Sequence, residues 1–156
     1  MVEDLRAFWE KHHARAEYRE TEVCLLRNLP KVGVSLFARS GFYPDFILWC
    51  RDRAAETTRV VFLDPHGLRQ EGVQDNDRFE AIVKLRELGE SERFRSKGIA
   101  LDGYILAPAS TSPDSIPGAK GMTWKALEAR YPLLRQDGAY VENLLGRTPV
   151  VRAAGQ

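Results

Sequence analysis

Two aspartates stand at the ends of neighbouring apolar runs. Asp45 opens Phe46-Ile47-Leu48-Trp49, and Asp64 closes Val60-Val61-Phe62-Leu63. Short apolar runs bounded by turn residues have strand character. Joined as a hairpin, two such strands bring the start of the first beside the end of the second. Both carboxylates would then share one end of a sheet, in an oxygen-rich pocket of the hardness that suits Mg²⁺. Read as dipeptides, Pro44-Asp45 and Asp64-Pro65 are also ordinary turn formers. The chemical reading therefore requires both acids to converge where water and substrate reach them. His66 adds an imidazole two residues beyond Asp64.

The elements that must position these groups follow from periodicity. Residues 3–18 form an amphipathic pattern, with Leu5, Phe8, Trp9 and Ala16 near one face. Apolar runs at Val23–Leu26, Val32–Phe37, Phe46–Cys50 and Arg59–Leu63 predict four strands separated by turn residues. A helix is expected over 77–88, with Asp77 as its cap and Glu80 reaching back. Ile99 to Ala107 predicts a further strand, 108–121 a loop, 124–131 a short helix stopped by Pro132, and 137–145 another helix before Gly146. Strands bracketed by helices predict an α/β fold with a mixed central sheet flanked by helices. The strands on either side of the 77–88 helix should pair in parallel through a right-handed crossover. One domain is expected over 1–147, with 148–156 as a frayed tail.

Composition narrows the function classes. The chain has 156 residues, 23 basic and 22 acidic, for a net charge of +1. A protein that binds nucleic acid through a broad positive field is usually more basic, so any such binding must use a local patch. Cys24 and Cys50 each lie in an apolar run and read as buried thiols of a reducing compartment, with no Cys-x-x-Cys pair for zinc. No apolar stretch approaches the roughly 18 residues of a membrane helix. The acidic start Met1-Val2-Glu3-Asp4 does not fit a secretory signal. A cytoplasmic protein is expected.

Three blocks carry a resemblance. They are Leu25-Leu26-Arg27-Asn28-Leu29, Gly41-Phe42-Tyr43-Pro44-Asp45-Phe46-Ile47-Leu48-Trp49 and Val61-Phe62-Leu63-Asp64-Pro65-His66-Gly67-Leu68. Pro44-Asp45 followed by Asp64-x-His66 resembles the PD-(D/E)XK nuclease signature, with histidine where lysine is usual. The blocks in order are similar to the nuclease-like C-terminal domain of type III restriction-subunit and DEAD/DEAH-helicase-like proteins. The resemblance covers roughly residues 20–145 and extends to a helix carrying Lys84 and to the strand at 99–107. It implies an αβββαβ core of the restriction-endonuclease type and metal-dependent hydrolysis of DNA phosphodiesters. Asp45 and Asp64 would hold Mg²⁺ or Mn²⁺, with the backbone carbonyl of Pro65 as a third ligand. DNA is the implied substrate and a helicase or ATPase the implied partner. No Walker-type Gly-x-x-x-x-Gly-Lys-Ser/Thr occurs in the sequence, so a motor must come from elsewhere.

Other residues join as candidates. As an imidazole, His66 could accept a proton from attacking water or ligate a softer metal. Lys84 could supply the missing cation, or be a solvated helix lysine. Glu17, Glu20 or Glu22 could complete the metal site. Arg27 could bind a backbone phosphate or pair with a neighbouring acid, with Asn28 beside it. Trp9, Trp49 and Trp124 could stack on bases, but their apolar surroundings fit core positions. The competing function is a catalytically silent DNA-binding or scaffolding module, suggested by histidine at the lysine position. A protein-interaction appendage would fit the near-zero charge.

Overall fold

Val60-Val61-Phe62-Leu63 is rich in β-branched and aromatic side chains, which fit a pleated, buried surface. It lies within β3 (Thr57–Asp64), which forms a hairpin with β2 (Phe46–Asp52). The structure, a computed structural model, describes residues 1–29, 32–36, 42–66, 68, 72–74 and 76–146. β1 (Thr21–Arg27) pairs antiparallel with β2 on its far side. Helix α2 (Asp77–Gly89) then carries the chain over to β4 (Ile99–Pro108), which pairs parallel with β3. A short parallel strand, β5 (Leu133–Gln136), completes a five-stranded sheet in the order β1-β2-β3-β4-β5. The fold is α/β with a mixed sheet flanked by helices, as the sequence predicts.

Alternation along the strands divides the core in two. Ile47, Phe62, Ile105 and Leu133 pack on one face with Phe79, Ile82 and Leu85 of α2 and Leu127 of α4 (Trp124–Arg130). Leu48, Val61, Leu63, Leu106 and Leu134 pack on the other face with Leu5 of α1 (Val2–His12) and Val141 and Leu144 of the last helix (Tyr140–Gly146). Close packing of α2 on β4 depends on Gly103, because a Cβ there would lie 3.2 Å from Ile82 and from the Phe62 carbonyl.

Several sequence expectations require correction. The first helix stops at His12, and Ala16–Tyr18 is a separate 3₁₀ turn. The strand expected over 32–37 is absent among its described residues, which contribute only an isolated bridge between Leu36 and Phe42. Val32 and Val34 of that run are exposed. The cap of α2 is Asn76 rather than Asp77, and its side chain accepts a hydrogen bond from the Arg78 N–H at 3.1 Å. A four-residue α3 (Glu92–Arg95) and β5 were both missed, being too short to show a period. The last helix begins at Tyr140, not 137. Cys24 is exposed rather than buried, because β1 is the edge strand of the sheet; Cys50 is half-buried. The tail expected over 148–156 lies outside the described residues. No helix among the described residues is long and apolar enough to cross a membrane.

Candidate metal centre

The site follows from the β2–β3 register. Phe46 faces Leu63, so Asp45 and Asp64 stand one step further along, opposite each other at the hairpin's open end. A two-residue period puts Asp45 on the face of Ile47 and Asp64 on the face of Phe62, both on the α2 side. The convergence expected from sequence is therefore present. Asp45, Asp64 and His66 each offer a ligand atom, and these atoms lie within 4.8 Å of one another.

The three groups sit in unlike surroundings. Asp64 is only 5 % exposed, whereas Asp45 and His66 lie at the rim. Burial pushes the Asp64 carboxyl above the usual carboxylate range. The His66 backbone N–H, donating to Asp64 Oδ1 at 2.8 Å, and the Arg78 guanidinium pull it back in part, while Asp45 adds to the upward push. His66 Nδ1 lies 2.7 Å from Asp45 Oδ2. With its proton on Nδ1, the ring leaves Nε2 as the basic nitrogen. Two carboxylates and an imidazole form a donor set that fits Mg²⁺ through oxygen and Mn²⁺ through oxygen and nitrogen. Pro65 stands between Asp64 and His66 at the strand exit.

The remaining candidates divide. Asn28 is buried, and its carboxamide donates to the carbonyls of Val34 at 2.8 Å and Pro44 at 2.9 Å. Its Oδ1 accepts from the Val34 N–H at 3.0 Å, and its own N–H donates to the Asp45 carbonyl at 2.8 Å. Both amide hydrogens are thus used to hold the loop that delivers Asp45. Gly33 permits this approach, since a Cβ there would collide with the Asn28 carboxamide oxygen. Arg27 is exposed beside Asn28, at the same end of the sheet as the acids. Lys84 lies on α2, exposed and 3.9 Å from Glu80, about 9 Å along the helix axis from Arg78. Glu22 occupies the opposite end of β1, paired with Arg53 and Arg51. Glu17 pairs with Arg15, before β1 begins. None of the three expected glutamates joins the described ligand cluster. Trp49 and Trp124 pack against the core, and Trp9 lies against Tyr18.

Sequence reasoning missed Arg78. Its Nη1 lies 3.4 Å from Asp64 Oδ2, and its guanidinium stands 5.7 Å over the Phe42 ring. The available signal was a helix start soon after Asp64, which places first-turn residues at the sheet end that Asp64 occupies. A cleft of about 610 Å³ opens elsewhere, lined by Tyr18, Cys50, Thr58, Arg59, Ile99 and Leu145. It borders the start of β3 and β4, so the cleft and the acids occupy opposite ends of the sheet. Comparison of the chain with known protein families, curated proteins and solved structures returned no match.

Proposed function

We propose that this protein is a metal-dependent phosphodiester hydrolase. More particularly, we read it as a DNA endonuclease domain of restriction-like bacterial defence, working with a helicase or ATPase. The observation that carries the reading is the convergence of Asp45, Asp64 and His66 within 4.8 Å at one sheet end. Resemblance of the three sequence blocks to the PD-(D/E)XK nucleases supports the substrate class and the partner.

Asp45 and Asp64 would hold Mg²⁺ or Mn²⁺, with the Pro65 carbonyl nearby. The bound ion would polarise the phosphate and lower the pKa of water. Asp45 orients the His66 ring through Nδ1, so that Nε2 can take a proton from the attacking water. The water oxygen bonds to phosphorus as the P–O ester bond breaks, and the departing oxygen takes up a proton from solvent. Arg27, exposed at the same sheet end, is suited to a neighbouring backbone phosphate. Histidine at the lysine position supports a second reading, a catalytically silent DNA-binding module.

Plasmid nicking with Mg²⁺ and with Mn²⁺ separates the two. Cleavage by the wild type, lost in Asp45→Ala and Asp64→Ala, is the expected result. With His66 as the proton acceptor, His66→Gln should slow cleavage with either ion. Absence of metal-dependent cleavage, or equal cleavage by the aspartate variants, would refute the hydrolase reading. Duplex binding without cleavage would support the silent module.

A further inference from the structure

Resting on the hydrolytic reading, we propose that Arg78 is a further catalytic residue whose guanidinium contacts the reacting phosphate. Hydrolysis gathers negative charge on the phosphate oxygens as phosphorus becomes five-coordinate. A fixed positive charge held beside them lowers that barrier without reorganisation. An imidazole carries no such permanent charge near pH 7, whereas a guanidinium does.

Arg78 is built into position. Its backbone N–H is held by the Asn76 side chain at the start of α2, and its guanidinium rests over Phe42. Phe42 is itself tied to Leu36 through a backbone bridge. The side chain is 30 % exposed, so part of it faces the rim where substrate would arrive.

The purely structural alternative is a salt bridge that neutralises a buried carboxylate. This protein shows what such a bridge looks like. Arg59 and Arg86 each meet the partly buried Asp102 at 2.7 Å, the ordinary length of a charge-assisted pair. Arg78 stays at 3.4 Å from Asp64. That looser approach suits a cation shared between the carboxylate and a phosphate. Lys84 does not compete for the role, since it lies along α2 beside Glu80.

The test uses duplex binding, which reads the contact independently of turnover. Affinity of a short fluorescein-labelled DNA duplex is measured by anisotropy without divalent metal, over a series of salt concentrations. The Asp64→Asn protein is compared with Asp64→Asn/Arg78→Ala, so that loss of the salt bridge to a charged carboxylate is common to both. Removing a phosphate contact should weaken binding several-fold and reduce the log–log salt slope by about 0.9. Arg78→Lys in the same background should restore the slope but only part of the affinity. Thermal melting of each variant confirms that the folded protein is being compared.

Identical affinity and slope with and without Arg78 would overturn the proposal and leave a structural ion pair. So would failure of the Asp64→Asn protein to bind duplex. Cleavage is scored separately, where Arg78→Ala should slow turnover about 10²–10³-fold. Wild-type cleavage with an unchanged slope rejects only the role of Arg78. A changed slope with no cleavage rejects only the hydrolytic reading and leaves a phosphate-binding arginine.

Discussion

Single side chains in this fold are set by their immediate surroundings, and the two cysteines show it. Cys24 and Cys50 lie on adjacent strands, Cys24 opposite Trp49 and Cys50 opposite Val23, so the two thiols are on opposite faces of the sheet. Cys24 is exposed on the edge strand, whereas burial pushes the Cys50 thiol up to about 11. A thiolate is the reacting species, so at pH 8 one thiol should react quickly with a disulfide reagent. The second, half-buried and with its thiol pushed up, should react much more slowly. Cys24→Ser should remove the fast phase, and two fast thiols in the native wild type would contradict this account. The same logic separates the site aspartates. Identical in type, they differ because Asp64 ends a central strand under α2 while Asp45 stands at the rim.

At the level of elements, the β2–β3 hairpin and α2 do most of the positioning. The hairpin fixes the register of the acids, and α2 brings Arg78 to the same end. Asn76 links the two by capping α2 and by donating to the Gly72 carbonyl at 2.9 Å, in the segment that leaves β3. Asn76→Ala should lower stability by about 1–2 kcal/mol, as loss of a helix cap does, read from the urea midpoint. An unchanged midpoint would mean that α2 is held by its packing alone. Asn28 is the counterpart on the other side, clamping the loop before Asp45. A residue that looked like a nucleic-acid contact in sequence is therefore occupied in delivering a metal ligand.

At the scale of the whole molecule, a polar network around Asp102 ties distant elements together. Its carboxylate accepts from Arg59, Arg86, the Tyr104 hydroxyl and the Gly103 N–H, and Arg59 also reaches the Leu144 carbonyl of the last helix. Burial alone would raise the Asp102 pKa, but Arg86, Arg59 and Tyr104 outweigh it and hold the carboxyl below the usual carboxylate range. A depressed carboxylate contributes stability that is present above its unfolded value and lost as pH falls through its folded one. Asp102→Asn should therefore cost about 3–5 kcal/mol near neutrality, the usual effect of breaking a buried pair. The gap between wild type and variant should stay constant above about pH 4 and narrow below it, followed by thermal melting. A gap independent of pH would show that packing, not charge, is lost.

The sequence by itself determined the mixed α/β class, the hairpin and the convergence of Asp45 and Asp64, because strand period and turn residues are local signals that survive without a partner. Only the tertiary structure decided that Asn28 is a clamp, that Lys84 stands away from the acids and that Arg78 stands beside them. Those outcomes depend on how α2 crosses the sheet and on which strand becomes an edge. Both are set by packing between segments distant in the chain, where no local spacing records the contact.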